Sequence, residues 1–550
     1  MLGQSRGAIR ERVAPGVASA VVHSAGVSIE RGSGQALGGG ALGKRATTDG
    51  RKGRAPMGRL ARERVQLPVL NGTESHDAPK EKCGVFGVWG RADGAQLSYL
   101  GLFAQQHRGQ ESAGIAVTEQ GRIRAHTGMG LVADVFGPSE IAHLTSGNVV
   151  GAIGHNRYST FGGSEACNAQ PLVQSYAQGQ VALGHNGNLV NGSALRHWFE
   201  ARGHIFHTTS DSEVIVHLLA SPEQQKTGDA LAAALRRLQG AFSLVVLFPD
   251  RIEAARDPWG WRPLVLGEMP DGAPVVASET VTLEVVGAKI IREIEPGEIV
   301  TLSDAGVETR RFADPAPRLA KCVFEHVYFA SPASTVFGDN VQIVRERLGE
   351  KLAEESPVPG ADWVMPMPDS GRSAASGFAR ASGIMYREGI VPNRYVGRTF
   401  IKPTQEARKA AVRLKLNVIH EIVDGKKLVV VDDSIVRGTT TREKMRQLYE
   451  AGAKEIHLRI SCPPIRHPCH FGVDFATRDE LVATGRTVDE IREFLGVHSL
   501  EFLSLEGLLA CVKHPADSYC HACYSGEYPI DLEHPVVGDV LDAAAGRLFA

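Results

Sequence analysis

Apolar positions along the chain change their period twice, and each change marks a different kind of element. No sustained apolar period runs through residues 1 to about 78, where Gly38-Gly-Gly40 and scattered arginines predict a disordered leader. At Glu81-Lys-Cys-Gly-Val-Phe-Gly-Val-Trp89 small and large apolar residues alternate as in a buried strand, with Cys83 at its head. Residues 97–106 follow with Leu100, Phe103 and Ala104 at helical spacing. Further strands are predicted at 148–153, 180–183 and 242–248. A hairpin is predicted from 298–301 and 307–309 around Ser303-Asp-Ala-Gly306, before a proline-containing linker at 314–319. From Cys322 onward strands and helices alternate, as expected of a parallel sheet: helix 341–355, strand 362–365, helix 373–381, strand 428–431, a helix through Met445 and Leu448, and strand 455–460.

Ligands of such sheets gather at the carboxyl ends of the strands. The apolar run Leu428 to Val431 has the β-branched character of a strand buried on both faces, and it ends in two carboxylates, Asp432 and Asp433. Ser434 to Thr441 then supplies a turn at Gly438, three successive threonines and a helix start, whose free N–H groups and dipole favour a phosphate. A phosphate cradle beside two carboxylates, which hold ribose hydroxyls or Mg2+, describes a ribose 5-phosphate site. The stretch resembles the 5-phosphoribosyl-1-pyrophosphate (PRPP) motif of type I phosphoribosyltransferases. The resemblance implies that Ser434, Arg437, Gly438, Thr439 and Thr440 bind PRPP, and that Asp369-Ser370-Gly371 is the pyrophosphate loop. It also implies that Ser370, Asp432 and Asp433 hold Mg2+, and that the basic run 398–416, with Arg398 and Lys402, closes over the substrate; a solvated basic loop is the simpler reading of that run.

In the first half, four segments carry polar groups where a core would be apolar: Cys83-Gly-Val-Phe86, Gly154-His-Asn-Arg-Tyr-Ser-Thr160, Gly184-His-Asn-Gly-Asn188 and Thr208-Thr-Ser-Asp-Ser-Glu213. In this order they resemble the glutaminase domain of the N-terminal nucleophile amidotransferases, a sandwich of two sheets between helix layers. The resemblance makes Cys83 the nucleophile, activated by its own α-amino group, which titrates near neutrality. That requires cleavage between Lys82 and Cys83, because in an uncleaved chain the nitrogen is an amide. It further implies that Arg157 grips the α-carboxylate of glutamine and Asp211 its α-ammonium, with Asn186 and the N–H of Gly187 as the oxyanion hole and Tyr158 and Thr160 near the pocket. Taken by itself, Asp211 in Ser-Asp-Ser-Glu also reads as a helix N-cap, and Cys83 as a buried thiol.

With both halves present, from Cys83 to about Pro529, the chain resembles the glutamine phosphoribosylpyrophosphate amidotransferase family of purine synthesis. The expected fold is an α+β N-terminal-nucleophile hydrolase sandwich (αββα) over 83–312, followed by an α/β type I phosphoribosyltransferase domain over 313–550, after a leader at 1–82. The segment Phe329-Ala-Ser-Pro-Ala-Ser334 departs from the Arg and Asp that commonly flank this proline in the family. Rival readings are an amidotransferase acting on a sugar phosphate or on aspartate with ATP, and a PRPP-sensing regulator. The Asp432-Asp433 motif argues against the first, the absence of a Ser-Gly-Gly-x-Asp loop against the second, and the glutaminase half against the third.

Composition narrows the rest. A net charge of −2 and an isoelectric point near 6.9 give no basic field for nucleic acid or an anionic membrane. No apolar run approaches the ~18 residues of a membrane span. Eight cysteines are too sparse for a secreted disulfide scaffold. Cys520-His-Ala-Cys523 is a metal-type pair that Cys322 and Cys469 complete, and four soft ligands suit Zn2+ or an iron–sulfur cluster. The family resemblance, in Cys322-Val-Phe-Glu325 and His467-Pro-Cys469, implies the branch with a [4Fe–4S] cluster and a propeptide. Cys167, Cys462 and Cys511 are expected to be buried thiols. The resemblance also implies glutamine and PRPP as substrates, a homotetramer, inhibition by purine nucleotides and a cytoplasmic location. For residues 1–56 an upstream mis-start before Met57 and an organelle transit peptide remain open.

Overall fold

The protein is described by a computed structural model for residues 83–158, 163–393, 416–473 and 478–532. The leader expected at 1–82 lies outside the described residues. Among these residues the first half builds two antiparallel sheets. One has seven strands in the order Lys289–Glu293, Val265–Glu268, Pro274–Ala277, Gly84–Trp89, Val149–Arg157, Ser112–Glu119, Arg122–Met129. The other has six, in the order Gly306–Arg311, Glu298–Ser303, Arg251–Arg256, Gly240–Leu247, Gly179–Leu189, Leu172–Tyr176.

Alternation along each strand sends successive side chains to opposite faces, so each sheet is buried twice. Val85, Ile153, Ala182, Val245 and Leu247 fill the space between the sheets. Phe86 and Val88 face outward with Leu97 and Leu102 of helix Gly94–Ala104, and Leu183, Leu244 and Val246 pack with helices Ser212–Ala220 and Ala230–Leu235. The result is the expected αββα sandwich. The face that the Gly94–Ala104 helix buries is not the one the apolar spacing suggests: Leu100 and Phe103 are exposed. Gly94, Ala95, Ser98 and Gly101 are buried instead, and a Cβ on Gly101 would lie 2.6 Å from the Phe86 ring. Small residues allow the helix to sit close to the sheet.

The second half is a parallel sheet in the order Trp363–Pro366, Lys427–Asp432, Glu455–Ile460, Ser499–Phe502. Leu428 to Val431 are fully buried, as a central strand covered on both faces requires. Helices Val341–Glu355, Arg372–Ser382 and Thr439–Glu450 lie where the sequence places them. The last strand and the helix Val488–Leu495 were not anticipated, although Thr487 and Glu490 form a capping box at that helix start.

Buried ion pairs join the halves. Arg108 reaches Glu279 through Nε and Glu325 through Nη2 at 2.5 Å, and Arg262 Nη1 lies 3.1 Å from the other oxygen of Glu325. Burial pushes Glu279 and Glu325 up, but Arg108 together with His107 and Ser334 at Glu279, and with Arg262 at Glu325, outweighs it and holds both carboxyls below their usual range. Arg345, on helix Val341–Glu355, donates to the carbonyls of His326 (2.7 Å) and Ala330 (2.8 Å), fixing the π-helical turn Glu325–Phe329 that carries Glu325.

Two buried histidines stand one behind the other, His155 on the face between the sheets and His185 on the face that packs against helix Ser212–Ala220. His155 Nε2 meets the carbonyl of His185 at 2.9 Å, and burial, then the charge of Arg157, pushes His155 down to about 3. Burial also lowers His185, whose Nδ1 lies 2.9 Å from Ser212 Oγ. A histidine that is hard to protonate when folded destabilises the fold in acid. Below the ordinary value of 6.5 the unfolded chain takes up a proton that the folded chain refuses. Unfolding free energy is therefore expected to be full above about pH 6.5 and to fall by up to about 1.4 kcal/mol per pH unit on acidification through His155 alone. In denaturant titrations His155→Gln, which keeps a donor and cannot titrate, should flatten that slope; an unchanged slope would contradict the account.

Candidate functional site

Cys83 directly precedes the Gly84–Trp89 strand, where the pairing Gly84↔Asn156 sets it at the end of the strand that carries Arg157. Its thiol points at the carbonyl of Tyr158, 3.7 Å away. Asn186 and Gly187 lie in the Gly179–Leu189 strand. The Asn186 side chain is 3% exposed, and its Nδ2 has no hydrogen-bond partner among the described residues. A buried amide donor left unpaired is costly unless a ligand oxygen completes it. Gly187 has φ +154°, and a Cβ there would meet the carbonyl oxygen of Ala241 at 2.0 Å, so the backbone runs here only with glycine.

A chain of hydrogen bonds leads from Arg157 toward the segment that carries Asp211. Arg157 Nη1 donates to Gly163 O at 3.1 Å and lies 3.6 Å from Glu111. Asn168 bonds Gly163 O and the hydroxyl of Thr209, two residues before Asp211. Asp211 occupies the N-cap position of helix Ser212–Ala220, but its side chain makes no cap bond. Its Oδ2 accepts instead from the N–H of Leu189, at the end of the Asn186-Gly187 strand, at 2.8 Å. Asp211 therefore does not act as a cap; its carboxylate braces the end of the strand that carries Asn186 and Gly187.

In the second half the strand Lys427–Asp432 delivers Asp432 and Asp433, both buried, to its carboxyl end. Asp433 N donates to Asp432 Oδ1 at 3.0 Å, and Ser434 Oγ bonds Asp433. Burial, then the neighbouring charge of Asp433, pushes Asp432 well above the usual carboxylate range, and the charge of Lys444 only partly offsets this. Hard carboxylate and hydroxyl oxygens of this kind are the ligands that Mg2+ prefers. Gly438, at φ +76°, caps the helix Thr439–Glu450 and turns its first N–H groups toward the strand end. The loop bearing Ser370 is tied to the same strand by Met367 N, which donates to Val431 O at 2.8 Å. Arg437 pairs with Glu480 at 3.2 Å. Arg398, Lys402 and Thr160 lie outside the described residues.

Cys322, Cys469, Cys520 and Cys523 line one cavity with Trp261, Arg262 and Phe471. Burial raises all four thiols, Cys322 to about 12 and Cys469 to about 11. Without a cation in the cavity they remain protonated; an iron–sulfur cluster or a metal ion suits a set of soft ligands with Arg262 beside it. No three His, Cys, Asp or Glu among the described residues are grouped as for a single metal ion. Cys462 and Cys511 are buried as expected, but Cys167 is exposed, because it sits on the short 3-10 turn Ala166–Asn168 at the surface.

Some contributors had no sequence signal. The phenol of Tyr328 is raised by burial and then by the charges of Asp433, Asp432 and Tyr158. In the departure segment, Ser331 N (2.9 Å) and Ser334 Oγ (2.5 Å) donate to Glu279. Gln170 accepts from His185 N at 2.8 Å and so steadies the strand before Asn186.

A glutamine amidotransferase domain family matches residues 155–285. The amidophosphoribosyltransferase of Synechococcus elongatus is 46% identical over 472 residues, covering 84% of this chain and 94% of that protein. That of Bacillus subtilis is 46% identical over 462 residues, covering 83% and 96%. A solved structure of glutamine PRPP amidotransferase from B. subtilis, complexed with ADP and GMP, superimposes with a TM-score of 0.75 at 44% identity and covers 82% of this chain and 98% of that one. With a glutaminase-type sandwich, a phosphoribosyltransferase sheet and relatives of this similarity over almost their whole length, the chain belongs to the amidophosphoribosyltransferase family.

Proposed function

We propose that Cys83 hydrolyses the side-chain amide of glutamine and that the ammonia released is used on PRPP at Asp432-Asp433, giving 5-phosphoribosylamine, glutamate and pyrophosphate. Membership of the family makes the chain a glutamine amidotransferase and pentosyltransferase of the first step of purine biosynthesis. The observation that carries the residue assignment is the unpaired, buried Asn186 amide in the strand facing the Cys83 half of the sandwich.

The Cys83 sulfur adds to the amide carbon, and the oxyanion that forms takes hydrogen bonds from Asn186 Nδ2 and the N–H of Gly187. The carbon–nitrogen bond breaks as the α-amine passes the thiol proton to the leaving nitrogen, giving a thioester and ammonia. Water then cleaves the thioester to glutamate and restores the thiol. Arg157 and Asp211 hold the α-carboxylate and α-ammonium. This needs residues 1–82 to be removed, so that 83–312 forms the glutaminase and 313–550 the phosphoribosyltransferase. At the second site ammonia displaces pyrophosphate from C1 of the ribose. Ser434, Arg437, Gly438, Thr439 and Thr440 hold the 5-phosphate side, and Arg398 and Lys402 close over it.

Ser370, Asp432 and Asp433 would hold Mg2+, which offsets the charge of the pyrophosphate as it leaves. Cys322, Cys469, Cys520 and Cys523 would hold a [4Fe–4S] cluster, a structural cross-link between the start of the second half and its C-terminal segment; zinc is the alternative. Inhibition by purine nucleotides is supported by the nucleotide complex of the B. subtilis enzyme. A homotetramer and a cytoplasmic location complete the proposal.

Two experiments test it. Cys83→Ser should abolish glutamine-dependent 5-phosphoribosylamine formation and leave synthesis from added ammonium salt, whereas Asp432→Asn should depress both by at least about a hundredfold. Loss of the ammonia reaction in Cys83→Ser would contradict the division of labour. Anaerobically purified protein should contain about four iron and four sulfide per chain, lost in Cys469→Ser; about one zinc and no iron would favour the alternative.

A further inference from the structure

Gly472 lies against the glycine assigned to the oxyanion hole. A Cβ on Gly472 would stand 3.2 Å from the carbonyl carbon and 3.4 Å from the Cα of Gly187, and 3.1 Å from Arg262 Nη2. The next residue along that strand, Asn188, donates through Nδ2 to the carbonyl of His470 at 2.9 Å. Gly187 is thus touched from outside by a segment that follows Cys469, nearly three hundred residues further along the chain and in the other half of the protein.

That segment is itself firmly held. Arg262 Nη2 donates to the carbonyls of Phe471 (3.1 Å) and Gly472 (2.6 Å), while its Nη1 pairs with the buried Glu325. The Phe471 ring stacks on Trp261 with centroids 4.5 Å apart, and the Tyr528 hydroxyl donates to Pro468 O at 2.7 Å. Gly472 has φ +97°, a conformation that glycine takes without strain. Every feature of the segment presents flat, side-chain-free backbone to Gly187.

We infer that residues 469–473 act as a positioning strap, through which the phosphoribosyltransferase half sets the backbone of Gly187 and hence the oxyanion donor for glutamine hydrolysis. The inference rests on the assignment of Asn186 and Gly187 as oxyanion donors. An oxyanion hole acts through donors fixed before the charge develops, and a shift of about 1 Å costs on the order of a hundredfold. The residues assigned to hold glutamine, Arg157 and Asp211, lie outside the strap, so its loss should appear in kcat and not in KM. Gly472 and Asn188 are positioning residues, and Arg262 is the clamp behind them.

The test uses the full mature enzyme with Asn188→Ala, which removes the tie, and Gly472→Ala, which pushes a methyl against Gly187. Both should lower kcat for glutamine hydrolysis by about tenfold to a hundredfold, with KM for glutamine within about twofold and ammonia-dependent synthesis unchanged. Unchanged kcat in both variants, a rise in KM alone, or a parallel loss of the ammonia reaction would overturn the strap. Asn186→Ala is measured alongside. If it lowers kcat while the strap variants do not, the strap fails and the oxyanion assignment stands; if it too leaves kcat unchanged, the assignment itself fails.

Discussion

Glu325 carries a carboxylate into a place from which water is excluded, and it stays there because two guanidiniums of the first half, Arg108 and Arg262, meet its two oxygens. Removing one member of such a buried group typically costs about 3–5 kcal/mol, because the others are left uncompensated. The orientation of the halves depends on this contact. Arg108 continues to Glu279, which anchors the turn at Ser331 and Ser334, and Arg262 continues to the backbone of Phe471 and Gly472. One charge cluster therefore borders the glutaminase strand, the thiol cavity and the turn that carries Tyr328.

The consequence for chemistry is placement. Two reactions that exchange ammonia profit from sites that face each other across protein rather than across water. Tyr328 lies in the turn Glu325–Phe329, whose first residue takes the buried ion pairs from Arg108 and Arg262. The acidic pair is set apart in the same way: burial and the neighbouring charge of Asp433 raise Asp432 well above the usual carboxylate range.

Much of this was legible in the sequence because the chemistry demands unusual residues in short runs. Asp432-Asp433 after an apolar strand, Gly438 before three threonines, and Cys83 and Asp211 in their motifs lie at ends of elements that period and turn residues mark, and Asn186 stands out as a polar residue inside an apolar strand. The four thiols were visible as a set, and they do line one cavity. What was not legible depends on tertiary contact. The buried face of helix Gly94–Ala104 is written in small residues rather than in the leucine and phenylalanine that periodicity favours. Asp211 carries the signature of a cap and spends its carboxylate on Leu189 N. Arg108, Glu279, Arg262 and Glu325 are scattered charges in the chain and become one cluster only when the halves dock. Cys167 looks like the other thiols and is exposed, since nothing local distinguishes a surface turn from a buried one.

The central claim is that two sites in different halves work as one enzyme. Glutamate release by protein beginning at Cys83, measured with and without PRPP and Mg2+, tests it most directly. The account predicts that PRPP with Mg2+ strongly stimulates glutamine hydrolysis and that each glutamate released is matched by one pyrophosphate. Hydrolysis that runs at the same rate without PRPP, or glutamate formed with no pyrophosphate to match, would contradict it.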